Sequence, residues 1–219
     1  MRNKVTIGVL KDPFSALSHI MGLVLAVIGV LYLIVQTAND TAQLTATFCY
    51  GVGLCSVFLA SSLYHFFDLG KRGNRWLLKF DHIAIFLMIG GSMVPSAVQL
   101  LGGAWQVVVL SCVALFTSAG VAFKLFWFDS PEWLSTSLFV LMGWSALVPL
   151  YQMYPNLTPG LLFWLLSGGL AYTVGALVYA FERPDPWPRT FGHHEIWHVF
   201  VLLGAGCHFW FNSIILGPR

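Results

Sequence analysis

The chain has 219 residues, of which 58% are hydrophobic and 9% are charged, and its formal net charge is +2. A soluble domain carries about 25% charged residues, so this composition, with a mean hydropathy of +0.77, excludes a water-soluble globule. The few basic residues are scattered between apolar segments, which argues against nucleic-acid binding.

Seven apolar segments are long enough to cross the bilayer as helices, which requires about 20 residues each. Their predicted ranges are 14–36, 41–67, 76–101, 104–123, 133–151, 159–181 and 191–216. We therefore predict an all-α membrane protein, a seven-transmembrane helix bundle that forms a single domain over residues 1–219.

Polar, glycine-rich and proline-rich stretches mark the predicted connections. Residues 70–74 are predicted to form a polar loop and Gly102-Gly103 a tight connection. Residues 155–160 and 183–188 are predicted loops because proline cannot continue a helix. Pro95 and Pro149 lie inside apolar segments and are expected to kink them.

The basic residues also predict an orientation. Of the eleven Lys and Arg residues, all but Arg219 lie in the N-terminus or near the connections that follow the second, fourth and sixth segments. These places share one side of a seven-helix chain, and basic residues favour the cytoplasmic side. We expect a cytoplasmic N-terminus, an outside C-terminus and residence in the cell (plasma or inner) membrane.

With this topology, six of the seven histidines fall in one layer near the cytoplasmic face: His19, His65, His82, His193, His194 and His198. Only His208 lies elsewhere. Ionisable residues inside membrane segments are rare and commonly functional, so this shared depth predicts a site.

The strongest candidate is a metal site formed by His65, His194 and His198. His194 and His198 are four residues apart and share a helix face, and His65 ends the second segment at the same depth. Three imidazoles with an open fourth position are typical of catalytic zinc, which lowers the pKa of a bound water towards about 7. The alternative is that these histidines form hydrogen bonds between helices, which we favour for His19, His82 and His208.

Two further residues fit catalytic roles at the same depth. Asp81, early in the third segment, could orient the water or accept its proton. Ser61 lies one turn before His65 and could hydrogen-bond the water or a substrate carbonyl. A structural alternative is that Asp81 forms an ion pair at the helix end with Lys79, Arg75 or His82.

The motifs together resemble the hemolysin III family, the bacterial branch of the progestin and adipoQ receptor superfamily. They are Ser61-x-x-x-His65, Phe80-Asp81-His82, Gly90-Gly91-Ser92-x-x-Pro95 and His194-x-x-x-His198, supported by Ser18-His19-x-x-Gly22, by Asp12 where the family usually has glutamate, and by Trp197-His198-x-Phe200-Val201-Leu202 and Cys207-His208-Phe209. The segment Gly91-Ser92-Met93-Val94-Pro95 departs from the commoner Gly-Thr-Tyr-Thr-Pro, without touching a proposed ligand.

The resemblance implies a seven-helix bundle with zinc held by His65, His194 and His198, and with Asp81 and Ser61 beside a bound water. Related members of the superfamily hydrolyse the amide bond of ceramides, and bacterial members have been linked to membrane energy and lipid homeostasis. It therefore implies a zinc-dependent hydrolase of a lipid amide or ester, with a membrane lipid as its candidate substrate.

Two alternatives remain open from the sequence. The first is a non-enzymatic receptor, channel or pore-forming hemolysin in which zinc is structural. The second is an intramembrane metalloprotease, because His194-Glu195-x-x-His198 matches the H-E-x-x-H pattern in which glutamate is the general base. The family pattern requires no glutamate at that position.

Overall fold

The computed structural model describes residues 10–187 and 190–217, and it is built from helices that follow the predicted segments closely. The helices are α1 (Pro13–Thr37), α2 (Thr41–Phe66), α3 (Gly70–Leu100), α4 (Gly103–Phe126), α5 (Glu132–Trp144), α6 (Leu150–Met153), α7 (Pro159–Phe181) and α8 (His193–Leu216). Two 3₁₀ turns, Ser145–Leu147 and Tyr154–Asn156, flank α6 and join it to α5 in one span.

Among the described residues, seven helical spans are long and apolar enough to cross a membrane, with Glu132–Asn156 as the fifth. Large apolar side chains cover much of the outer surface: Val35 is 73% exposed and Phe126 is 90% exposed. An apolar surface of this extent is stable only against lipid. The chain is therefore a multi-pass membrane protein, as the composition predicted.

The bundle is tightest where α2 packs against α3, the most extensive helix pair of the fold. A Cβ atom at Gly53 would lie 2.5 Å from the Leu87 carbonyl oxygen, and one at Gly91 would lie 2.5 Å from the Cys49 carbonyl oxygen. The two backbones can approach this closely only because neither glycine has a side chain. Glycine thus fixes the spacing of the two helices that carry His65 and Asp81.

The predicted loop at residues 70–74 is wrong, because α3 already begins at Gly70. The Asn74 side chain accepts a hydrogen bond from the Leu69 amide and donates one to Asp68, whose carboxylate also accepts one from the Gly70 amide. These bonds satisfy amides that a helix start leaves free, and they lower the pKa of Asp68. Polar residues here cap a helix and do not interrupt it.

Proline acts differently in the two segments where kinks were predicted. At Pro149 the fifth span breaks into separate helical pieces, because Pro149 precedes α6 and follows a 3₁₀ turn. Pro95 lies buried inside α3, which continues through it as one helix. The fifth span is consequently the least regular of the seven.

Short connections make consecutive spans alternate in direction. The alternation determines which helix starts and ends lie together at one end of the bundle. That end holds the starts of α1, α3, α5 and α8 and the ends of α2, α4 and α7. It also holds every described Lys and Arg residue. Arg2, Lys4, Arg189 and Arg219, which entered the orientation count, lie outside the described residues, and the side of the membrane stays a prediction.

Candidate metal centre and its cavity

The three predicted ligands meet at this basic end of the bundle. His65 and His198 are buried and His194 is partly buried. The Nε2 atom of His194 lies 3.4 Å from Nε2 of His65 and 3.1 Å from Nε2 of His198. One ligand atom from each of the three histidines falls within a common 4.8 Å, so the cluster could hold a metal ion.

A carboxylate orients His65. Nδ1 of His65 donates to Oδ2 of Asp12 across 2.9 Å, and both side chains are buried. The Asp12 amide also donates to the His65 carbonyl, at 3.0 Å. Because the carboxylate holds the proton on Nδ1, the lone pair of His65 is left on Nε2, the atom that faces the other two histidines.

A fourth histidine orients His198. Nδ1 of His198 lies 2.8 Å from Nε2 of His19, which is 3% exposed. With the proton on Nδ1 of His198, its Nε2 lone pair faces the same gap as that of His65. His19 therefore makes the hydrogen bond between helices that we favoured, and its partner is one of the candidate ligands.

The donor set fits a tetrahedral zinc ion. Zinc–nitrogen bonds of 2.0–2.1 Å place two tetrahedral ligand atoms about 3.3 Å apart. The Nε2 atom of His194 lies at similar distances from those of His65 and His198, 3.4 and 3.1 Å. Two of the three imidazoles, His65 and His198, have their other ring nitrogen held by a hydrogen bond, as is usual for a metal-bound histidine. His65, His194 and His198 would therefore hold the ion.

The cluster opens onto a cavity of about 490 Å³ in which both predicted catalytic residues take part. Ser61 and Asp81 line the same space as His194 and His198. Ser61 is 2% exposed and Asp81 is half-buried. Farther from the histidines the walls are largely apolar and come from α3, α5, α7 and α8, which suits an acyl chain.

The cations proposed as structural partners of Asp81 are directed elsewhere. Arg75 pairs with Asp129, and Lys79 donates to the carbonyl of Leu125, at 2.8 Å. No ion pair between Asp81 and Lys79, Arg75 or His82 is present in the described part of the chain. This leaves the Asp81 carboxyl available to the cavity.

Glu195 occupies the start of α8 in a capping role. Its Oε2 atom accepts a hydrogen bond of 2.8 Å from the Gly192 amide, three residues earlier. A glutamate at this position commonly satisfies the free amides of a helix start. The carboxylate that would act as the protease base is thus engaged at the helix end.

The remaining histidines have distinct surroundings. His193 begins α8 with Nδ1 4.0 Å from the Asp185 carboxylate. His208 lies 3.3 Å from the Leu165 carbonyl, the hydrogen bond between helices that we expected for it. His82 contacts the ring of Phe128, and its buried Nδ1 has no hydrogen-bond partner within the described residues. The hydrogen bond between helices that we favoured for His82 is therefore not found at this nitrogen.

Sequence reasoning missed the contacts of Asp12 and His19. Both residues were noted as parts of the family motif, yet neither was connected to a ligand. Asp12 precedes α1 by one residue, so it lies at the depth of His65, and His19 lies seven residues farther along. The depth argument already placed His19 in this layer, but depth alone does not determine which side chains meet.

Comparison with known proteins identifies the family. The family profile described as "Haemolysin-III related" matches residues 7–209. The chain is 30% identical to Hemolysin-3 of Bacillus cereus over 94% of its own length and 92% of that protein, and 29% identical to the Hemolysin-3 homolog of Bacillus subtilis over 89% of each. It is 31% identical to the ADIPOR-like receptor IZH2 of Saccharomyces cerevisiae, over 73% of this chain and 55% of the yeast protein.

Proposed function

The chain belongs to the haemolysin III-related family, and we propose that it is a zinc-dependent hydrolase of a membrane lipid amide or ester. The observation that carries this proposal is the convergence of three Nε2 atoms beside a cavity that also receives Asp81 and Ser61. A merely structural metal site would gain nothing from opening onto a cavity of this size.

Each polar residue has a role in the proposed reaction. Zinc bound by the histidines would polarise a substrate carbonyl and lower the pKa of a water. Asp81 accepts the proton of the attacking water and returns it to the leaving group. Ser61 donates a hydrogen bond that orients the carbonyl. The apolar walls bury the acyl chain and exclude bulk water from the reacting carbonyl.

The decisive experiment combines metal analysis with lipid turnover. Purified wild-type protein should contain zinc and release fatty acid from a ceramide or an ester lipid. Asp81→Asn should keep the zinc and lose about 10²–10⁴-fold in turnover. Asp40→Asn, at the start of α2 and far from the cavity, is the matched control and should behave as wild type.

The result also separates the alternatives. Wild-type protein without bound metal would refute the proposal entirely. Bound zinc without lipid turnover, whose removal lowers only thermal stability, would favour a receptor, channel or pore-forming hemolysin. Conductance in proteoliposomes and lysis of erythrocytes would then identify the activity.

We also propose that the protein resides in the cell membrane of a bacterium with the histidine cluster near the cytoplasmic face. The end of the bundle that holds the cluster also holds all described Lys and Arg residues, which favour the cytoplasmic side. A reporter enzyme that is active only outside the cytoplasm, fused after Gly217, should be active. Activity of the same reporter fused after residue 70 would contradict the orientation.

A further inference from the structure

A second polar cluster faces the same cavity, away from the histidines. Lys124, in the last turn of α4, is 1% exposed, and Ser130 and Ser135 are 7% and 3% exposed. Nζ of Lys124 donates to the hydroxyls of both serines, and the two hydroxyl oxygens lie 3.3 Å apart. All three residues line the cavity.

This cluster has more hydrogen-bond donors than acceptors. A lysine ammonium has three N–H donors and each serine has one O–H donor. The serines accept two of the lysine N–H bonds, and one serine can donate to the other. At least one N–H and one O–H are therefore left for a group in the cavity.

Among the described residues, Lys124 also has no carboxylate within ion-pair distance. Within residues 10–187 and 190–217, no carboxylate oxygen lies within 4.0 Å of Lys124. Glu132, at the start of α5, lines the cavity but is exposed, and Asp129 is paired with Arg75. The two serine hydroxyls are neutral and Glu132 acts on Lys124 only from beyond ion-pair distance. A buried charge without a close counter-charge is unfavourable, which favours an anion that enters the cavity.

His82 lies on the same aromatic ring as Lys124, that of Phe128. Phe128 has its ring centroid 5.8 Å from Nζ of Lys124 and 5.8 Å from the ring of His82. Nδ1 of His82 is buried and unpartnered among the described residues, and His82 lines the cavity. His82 therefore lies beside the Lys124 cluster and carries a ring nitrogen that no described residue satisfies.

We propose that Lys124, Ser130, Ser135 and His82 form a binding subsite for a phosphate-type oxyanion, such as the anionic headgroup of a lipid. The subsite and the histidine cluster line one cavity, so a lipid could place its headgroup at Lys124 and its carbonyl near the histidines. Only the identification of this lipid as the substrate rests on the proposed function. The binding of an anion does not depend on hydrolysis.

Binding to the full-length protein in a neutral detergent tests the subsite. The probes are a short-chain phosphatidic acid, the phosphatidylcholine with the same chains, and inorganic phosphate. We expect phosphatidic acid to raise the melting temperature in a saturable manner and phosphatidylcholine to do so far less. Lys124→Gln should weaken phosphatidic acid binding about tenfold or more, since a hydrogen bond to a charged group contributes about 1.5–3 kcal/mol.

One control variant and two further variants of the subsite test which groups bind the anion. Lys71→Gln removes an exposed cation at the same end of the bundle and should bind as wild type. Lys124→Arg keeps the charge and should retain binding, and Ser135→Ala removes one donor and should weaken it. The two smaller changes keep the test valid if Lys124→Gln does not fold.

Every outcome decides the proposal. Binding of phosphatidic acid that requires Lys124 supports a lipid headgroup as the ligand. Equal, Lys124-dependent binding of inorganic phosphate supports the subsite with a free anion as the ligand. Binding that is absent, or unchanged in Lys124→Gln and Ser135→Ala, overturns it. If binding depends on Lys124 but no lipid is hydrolysed, the proposed hydrolase fails and the subsite stands.

Discussion

The two polar clusters of the cavity differ in how completely their hydrogen bonds are satisfied. In the histidine cluster, Asp12 holds His65 and His19 holds His198, so lone pairs face a common gap. In the Lys124 cluster, one cation and two hydroxyls supply donors, and no carboxylate of the described chain accepts from them. The first cluster could hold a cation, and we propose that the second binds an anion.

The helices that carry the two clusters also differ in how much of their surface is buried inside the protein. The histidines are carried by α2 and α8, and α1 packs on both of them. Lys124 and Ser135 lie on α4 and α5, where far less of each span is buried inside the protein. A metal site needs fixed ligand positions, and the histidines lie on the more extensively buried spans.

The largest effect is expected when one of the three candidate metal ligands is removed from the histidine cluster. His198→Ala deletes one of the three Nε2 atoms and breaks the hydrogen bond to His19, so bound zinc and lipid turnover should both fall to background. His208→Gln, which keeps a donor for the Leu165 carbonyl, should retain full zinc content. Mass spectrometry of the metal in the purified proteins measures the zinc content of both variants. Stoichiometric zinc in His198→Ala would rule out the proposed ligand set.

The next largest effect is expected at Asp12. Asp12→Ala leaves His65 in place but removes the acceptor of its Nδ1 proton, which should weaken zinc binding about 10–100-fold. Asp12→Glu preserves the carboxylate and should lose much less. Competition with a fluorescent chelator gives the two affinities, and equal affinities for Asp12→Ala and wild type would show that the hydrogen bond does not tune the metal.

The three histidines and the contact of Asp12 differ in how far they can be predicted from the sequence. The spans were predictable because lipid demands long apolar helices, and His65, His194 and His198 because alternating helices bring their ends to one depth. The partner of Asp12 was not predictable from periodicity, because Asp12 lies before α1 in a stretch without regular structure. Side-chain contacts between helices depend on rotation about each helix axis, which hydropathy does not determine.

Lys124 shows a different limit of sequence reasoning. By counting, it belongs to the loop after the fourth segment and serves only the orientation argument. The structure extends α4 to Phe126 and turns Lys124 inward, onto serines from the following loop and helix. A lysine at a span end usually reaches the interface, so the burial of Lys124 could not be predicted from the sequence.

A smaller effect of opposite sign is expected for Lys124→Met. The change removes a buried charge that has no carboxylate partner among the described residues and keeps the apolar stem, so the protein without a bound anion should become equally or more heat-stable. The same variant should lose phosphatidic acid binding. Lys71→Met is the control, and a large loss of stability confined to Lys124→Met would show that the cation is a structural element of the fold.

The smallest effect is expected for Glu195→Gln. Glutamine retains an oxygen that can accept the Gly192 amide bond, so helix α8, zinc content and lipid turnover should remain close to wild type. An intramembrane protease using Glu195 as its base would lose its activity. Measuring peptide and lipid hydrolysis on the same preparation distinguishes the two readings.

The close approach of α2 and α3 at Gly53 and Gly91 has a mechanical consequence. Backbones in direct contact cannot slide or tilt past each other, so His65 and Asp81 should keep their separation when the bilayer thins or thickens. The broken fifth span and the loosely packed α4 are free to adjust their tilt to the lipid. We expect membrane thickness to change access to the cavity while the distance between the metal ligands and the proton acceptor stays constant.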